Sequence, residues 1–186
     1  MRMRNVKRWL TSLLCVAMLF STLSVFSSMP KAKAVSTYDG EAGAAWGRAN
    51  YKGKYNYSCA TFASQCLNAG GFTDVYDAGC TSLRRKLLAT GVFVEYPLEV
   101  TKQKIYPHSS ANNGKVSVGD GLLVHKRGSS TYVHAYVAET VNDGPLYVVQ
   151  TSLGDVYGSR HCWFDYNGNT TDYEIVSMHY TGKTPE

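Results

Sequence analysis

The spacing of hydrophobic residues along the chain changes near residue 90. Before it, apolar residues recur every three to four positions, which is the spacing of helices with one buried face. After it, apolar and β-branched residues form short runs separated by Gly, Pro, Asn and Ser. Helices followed by a meander of antiparallel strands predict an α+β domain.

The pattern predicts three helices, six strands and one long loop. The helices are expected over 39–50, from 59 to the Gly70-Gly71 pair, and over 82–89, the last capped by Thr81. The strands are expected over 92–94, 116–118, 121–125, 132–139, 146–151 and 175–180, with residues 106–115 as the loop. The sequence shows no internal repeat or linker, so one domain is expected over 35–186.

The second predicted helix carries a cysteine in its first turn. Its apolar stripe consists of Cys59, Phe62, Ala63, Cys66 and Leu67, and Ser58 is a suitable N-cap. The N–H groups and the positive dipole end at a helix start stabilise a thiolate, which is the form that attacks a carbonyl. Cys59 is therefore a candidate nucleophile. A small buried cysteine is the alternative that the local pattern leaves open.

His134 is the candidate general base. It lies near the start of the strand predicted over 132–139, where alternation places it on one face with Tyr132, Tyr136 and Ala138. Strand ends are places where an active-site residue can meet solvent. The alternative is a half-buried strand histidine with a structural hydrogen bond.

Gln150 is the candidate orienting residue, on the strand after the next turn. A hairpin centred on Asn142 pairs Gln150 directly with His134. A hairpin centred on Asp143 places Gln150 opposite Tyr136 and diagonal to His134. In both registers the Gln150 side-chain oxygen can accept a ring N–H and orient the imidazole, the third role in a catalytic triad. A turn centred between residues would reverse the side-chain parity and separate Gln150 from His134. A solvent-facing strand glutamine is the alternative that the spacing leaves open.

Residues 1–34 have the pattern of a secretory signal peptide, with basic residues, an apolar stretch over 9–28 and an Ala32-Lys33-Ala34 cleavage site. An uncleaved anchor is the alternative, since about 20 apolar residues can span a bilayer. Six of the 19 Lys and Arg residues lie before residue 35 and all 14 Asp and Glu residues lie after it, so cleavage changes the net charge from +5 to −1. That charge, and the lack of a basic cluster, argue against nucleic-acid binding. We expect a secreted, extracellular or cell-wall-associated protein.

The segment from Cys59 to Gly71 is similar to the nucleophile helix of the bacterial amidase domain family, whose pattern is Asp-Cys-Thr-Asn-Phe-Val-Ser-Gln-Cys-Leu-x-Ala-Gly-Gly. With one residue dropped after Cys59, the matching positions are 61, 62, 64–67 and 69–71. Residues 118–120, 134–137 and 145–151 resemble further stretches of the family. The family looks like a branch of the papain-like cell-wall hydrolases, which include the CHAP and NlpC types.

The chain departs from the family pattern beside each end of the proposed triad. Ser58 stands where the family has Asp, one residue is missing after Cys59, and Gln150 stands where the family often has His. Glutamine can orient an imidazole but carries no charge. Asp155 therefore stays open as an alternative third residue.

The resemblance implies a papain-like core and acyl transfer, in which Cys59 attacks an amide carbonyl and His134 moves the proton. It implies a peptidoglycan or peptide substrate, no cofactor, no stable membrane insertion after leader cleavage, and a monomer. A catalytically inactive cell-wall or protein-binding module on the same fold is the alternative. The intact pair of Cys59 and His134 favours the enzyme.

Four cysteines follow the leader. Cys59 and Cys66 are two helical turns apart, about 10 Å, which is too far for a disulfide. We expect a disulfide between Cys80 and Cys162 and a buried Cys66 thiol. The possible zinc ligands are the cysteines and His125, His161 and His179. No metal is expected, because these residues lack the paired spacings of a zinc site.

Overall fold

The computed structural model describes residues 37–52, 58–73, 75–151, 158–162, 164 and 171–182. All of these belong to the second of two compact units, residues 35–186. The predicted leader, 1–34, lies outside the described residues. Among the described helices, none has the length and apolar character needed to cross a membrane.

In the part of the chain that the structure describes, three helices precede the strands, as predicted. They are α1 (Gly40–Asn50), α2 (Cys59–Ala69) and α3 (Cys80–Ala89). Helix α1 starts where the sequence predicted, because the Asp39 side chain accepts a hydrogen bond from the Ala42 N–H and caps it. Helix α2 ends where the Gly70 and Gly71 N–H groups bond back to carbonyls of its last turn.

Helix α3 begins two residues earlier than predicted, at Cys80 rather than Ser82. Gly79 is the N-cap, so the prediction that Thr81 caps this helix is wrong. The Thr81 hydroxyl instead accepts a hydrogen bond from the Tyr132 N–H at 2.8 Å. Its side chain therefore attaches the start of α3 to a neighbouring strand, a tertiary contact that the local sequence does not encode.

The strands form one antiparallel sheet of six, and the chain is an α+β domain. The order across the sheet is β1, β6, β2, β3, β4, β5. Strand bounds are β1 (Phe93–Leu98), β2 (Gly121–Lys126), β3 (Tyr132–Thr140), β4 (Tyr147–Gln150), β5 (Ser159–His161) and β6 (Tyr173–Tyr180).

One predicted strand is not formed, one strand was not predicted, and β1 extends to Leu98, four residues beyond the predicted end at Val94. The strand expected over 116–118 is part of a turn, because the Ser117 N–H donates to the Asp120 carboxylate at 2.7 Å instead of joining a ladder. Strand β5 was not predicted, since it has three residues and no apolar run. The loop predicted over 106–115 is confirmed.

Each face of the sheet packs on its own core. On one face Phe62 and Leu67 of α2 and Leu83 of α3 contact strand residues such as Ala135 and Val137. The intervening strand residues form a second core with the connection between β1 and β2. Members of that second core include Ile105, Leu122, Val124, Tyr136, Val148 and Phe164. Both faces are therefore buried, which fixes the strand register strongly.

A β-bulge in β3 changes the predicted alternation of side chains. Val124 pairs with His134 and His125 pairs with Tyr132, so Val133 is an extra residue. An extra residue reverses the parity of the strand, and Tyr132 joins the helix-side core while Tyr136 joins the other. The prediction that Tyr132 shares a face with Tyr136 is therefore wrong.

Candidate active site

Cys59 is the first residue of α2, as predicted. The predicted cap is confirmed, because the Ser58 hydroxyl oxygen accepts a hydrogen bond from the Thr61 N–H at 3.1 Å. Cys59 itself is only partly buried, whereas most of the helix that follows it is packed in the core. The thiol is thus held at a helix start with a route to solvent.

The segment before α3 is fixed on α2. The Ser58 hydroxyl donates to the Ala78 carbonyl at 2.9 Å, and the Ser64 hydroxyl accepts from the Asp77 N–H at 3.1 Å. These contacts bring the first residues of α2 and α3 together. The sulfur atoms of Cys59 and Cys80 are 3.6 Å apart.

This contact corrects the predicted cysteine pairing. The four described cysteines are free thiols, so the expected disulfide between Cys80 and Cys162 is wrong. Cys80 lies at the start of α3 beside Cys59, and Cys162 follows the edge strand β5. The expected burial of the Cys66 thiol is confirmed.

His134 lies beside Cys59 near the start of β3. Its imidazole is 8% exposed and packs edge-on against the Tyr136 ring, with 4.5 Å between the ring centres. Its Nε2 contacts the Gln150 side-chain oxygen, and a hydrogen bond from the same ring reaches Cys59.

The surroundings of Cys59 favour its thiolate. A hydrogen bond from the Cys80 thiol has the largest effect, and burial opposes it. A hydrogen bond and the positive charge from His134, together with the Ala135 N–H, also favour the anion and lower the pKa of Cys59 to about 4. The same contact with Cys59, aided by burial, raises the pKa of Cys80. Burial alone raises the pKa of Cys66.

Gln150 reaches His134 in one of the two predicted registers. Val137 pairs with Val149, so the ladder continues with Gln150 opposite Tyr136 and diagonal to His134. Next to the turn, however, Thr140 pairs with Tyr147, so the turn is centred between Asp143 and Gly144, and a bulge between Ala138 and Thr140 restores the register of a hairpin centred on Asp143. The residue on the next strand thus meets the imidazole as the sequence indicated.

The Gln150 amide is held from its other side by β5. Its NH₂ group donates to the Ser159 hydroxyl at 2.9 Å and faces His161 Nε2 at 3.1 Å. With these contacts on the NH₂ group, the amide oxygen faces His134. Sequence analysis missed Ser159 in this role and considered His161 only as a metal ligand. Both lie on the short strand that it did not predict.

His125 and His179, which the sequence also offered as candidates, make their hydrogen bonds away from this site. Asp155 lies outside the described residues. His125 Nδ1 is 2.9 Å from the Ser129 carbonyl, and His179 Nδ1 bonds the buried Asp120 carboxylate at 2.8 Å. Within the described ranges, no three His, Cys, Asp or Glu side chains are grouped so that they could hold a metal ion.

The chain matches no protein-family model, and no curated protein or solved structure is significantly similar to it. The geometry of the site itself is therefore the basis for its chemistry. A thiolate in contact with an imidazole, which in turn contacts an orienting amide, supplies the groups needed for nucleophilic attack followed by proton transfer.

Proposed function

We propose that the protein is a secreted cysteine hydrolase that cleaves an amide or peptide bond in peptidoglycan. The observation that carries this proposal is the contact series from Cys59 through His134 to Gln150. A structural cysteine has no need of a helix start, an imidazole and an oriented amide. Together these three groups meet the requirements for an activated nucleophile.

The reaction would proceed through an acyl-enzyme. The Cys59 thiolate attacks the amide carbonyl carbon, and protonated His134 gives its proton to the leaving amine. A water molecule, deprotonated by His134, then attacks the thioester and releases the acid. Gln150 keeps the imidazole oriented toward the sulfur during both steps, because its oxygen accepts from Nε2.

The start of α2 would stabilise the negative charge that develops on the carbonyl oxygen. The Cys59 N–H belongs to the first turn of the helix, where backbone donors have no intrahelical acceptor. A donor aimed at this oxygen is worth on the order of 10²–10³ in rate in other hydrolases. The same turn therefore would carry the nucleophile and part of the oxyanion hole.

A papain-like arrangement fits this reaction. The nucleophile begins a helix that packs on an antiparallel sheet, and neighbouring strands β3 and β4 carry the imidazole and the orienting amide. The choice of peptidoglycan follows from the resemblance of the α2 sequence to the amidase domain family. Secretion follows from the signal-peptide pattern of residues 1–34.

Digestion of purified peptidoglycan tests the proposal. The reduced protein should release peptidoglycan fragments whose masses correspond to hydrolysis of one type of amide bond. Each cleavage should leave a new amine and a new carboxylate. Mass analysis of the fragments would identify the bond, either the glycan–peptide amide or a link within the stem peptide. Folded, reduced protein that releases no fragments from peptidoglycan or from model peptides would contradict the proposal.

The role of Gln150 predicts a graded loss of activity. Gln150→Ala should lower turnover by less than His134→Ala does, because Gln150 orients the imidazole but transfers no proton itself. His134→Ala should lower it further, by at least on the order of 10²–10⁴, because the proton-transfer group itself is lost. Steady-state turnover on the released-fragment assay would measure both.

Gln150→Glu is the matched control, because it keeps an oxygen that can accept from His134. We expect it to lose less turnover than Gln150→Ala. Equal and total loss in Gln150→Ala and His134→Ala would contradict the ranking. Unchanged turnover in Gln150→Ala, with loss in Asp155→Ala, would move the third role to Asp155.

A further inference from the structure

The second thiol beside the nucleophile forms and breaks no bond in the acyl-transfer steps, although its hydrogen bond favours the Cys59 thiolate. Cys80 Sγ lies 3.6 Å from Cys59 Sγ, whereas a disulfide bond is about 2.05 Å long, so the two atoms need to approach by about 1.5 Å. This is the range of a side-chain rotation or a small shift of one helix end. The pair is already positioned for a covalent bond.

The backbone on both sides of this pair can accommodate the approach. Each cysteine is the first residue of its helix, and first-turn N–H groups have no intrahelical acceptor to lose. The Ser58 hydroxyl bonds the Ala78 carbonyl at 2.9 Å and keeps the two helix starts adjacent. The contact is therefore maintained by residues outside the two thiols.

We propose that Cys59 and Cys80 form an oxidation site that reacts with a hydroperoxide and closes to a disulfide, reversibly blocking the nucleophile. The loss and recovery of hydrolysis rest on the proposed function. Formation of the bond does not, because it needs only the two thiols and the oxidant.

The chemistry balances in two steps. The Cys59 thiolate attacks one peroxide oxygen, the O–O bond breaks, and the products are a Cys59 sulfenic acid and hydroxide, which is protonated to water. The Cys80 thiol then attacks the Cys59 sulfur, the S–O bond breaks, and the departing hydroxide takes the Cys80 proton to form a second water. Two thiols lose two electrons in total, and one hydroperoxide gains them.

The other cysteines are poorly placed to compete. Thiolate character and access decide which cysteine a peroxide attacks, and Cys59 has both. Cys66 is fully buried, and burial keeps it protonated. Cys162 is also buried, at 8% exposure. Once Cys59 is a sulfenic acid, it no longer carries the negative charge that holds Cys80 in its protonated form.

Thiol counting after peroxide treatment tests the site. Reduced protein is treated with equimolar hydrogen peroxide, denatured and alkylated, and its intact mass is measured. We expect two fewer alkylated cysteines, a mass loss of two hydrogens, and one cross-linked peptide pair that contains Cys59 and Cys80. A thiol reductant should restore both thiols and at least nine-tenths of the hydrolytic rate.

Two variants separate this site from general oxidation. In Cys80→Ser, excess hydrogen peroxide should carry Cys59 to sulfinic acid, because a second equivalent oxidises the sulfenic acid, and a thiol reductant does not reverse that product. Cys162→Ser should keep the reversible bond. Wild-type Cys59 found as sulfinic acid while Cys80 still alkylates, or a bond between another pair, would overturn the proposal. A protein that forms the bond but never hydrolyses peptidoglycan or model peptides would support the oxidation site and contradict the proposed function.

Discussion

Cys59→Ala should abolish hydrolysis while the domain stays folded. Loss of a hydrolase nucleophile lowers turnover by on the order of 10⁴–10⁶-fold, since only binding and the oxyanion donors remain. Cys59 is partly exposed, and removing its sulfur leaves the core beneath α2 intact. Fragment release from peptidoglycan measures the activity, and thermal unfolding measures the stability.

Cys66→Ala is the matched control in the same helix. Cys66 is fully buried where α2 packs on α1, so removing its sulfur leaves a void in the core. We expect the free energy of unfolding to fall by about 1–3 kcal/mol, with turnover of the folded fraction preserved. Activity that persists in Cys59→Ala would exclude the proposed mechanism.

His134→Ala should change the pH dependence of Cys59 alkylation. In the wild type, alkylation should remain fast well below pH 8.5, about the pKa of a free cysteine, because the thiolate persists there. Removing the imidazole removes a hydrogen bond and a positive charge that favour the anion, so the pKa of Cys59 rises and alkylation slows at neutral pH. Rates of iodoacetamide alkylation measured between about pH 4 and about pH 9 locate the midpoint.

Cys80 contributes separately from His134 to the lowered pKa of Cys59, so a double variant can divide the effect between them. Its hydrogen bond is the largest cause of the lowered pKa of Cys59, so His134→Ala alone should restore only part of the ordinary thiol behaviour. Adding Cys80→Ala to His134→Ala should bring the midpoint close to that of a free thiol. A wild-type rate that follows a free cysteine over the whole range would mean that the thiol is not activated. The binding-module alternative would then be the better interpretation.

The contact between the His134 imidazole and the Gln150 amide could be predicted in part from the sequence. Alternation and turn length allowed two registers that bring Gln150 to His134, whereas a turn centred between residues would have separated the two side chains. The pair nearest the turn, Thr140 and Tyr147, has that third centring, and the bulge between Ala138 and Thr140 compensates for it. The sheet selected the register centred on Asp143, because Val137 and Val149 are each buried in the helix-side core and pair directly. The bulge at Val133 could not be predicted from the sequence. An extra residue in a strand depends on how that strand packs against the strands on both sides of it, and local composition does not record this packing.

The sequence by itself determined the helix that carries the nucleophile, because its start and end depend on local contacts. Ser58 caps the helix, Cys59 begins it, and Gly70 follows its last residue. Each of the hydrogen bonds at its two ends joins residues that are about one helical turn apart. Only the tertiary structure placed Cys80 beside Cys59 and the Ser159 and His161 side chains behind Gln150. Those contacts join segments that are separate along the chain, and they depend on the docking of residues 75–79 on α2 and on an edge strand too short to have a sequence signal.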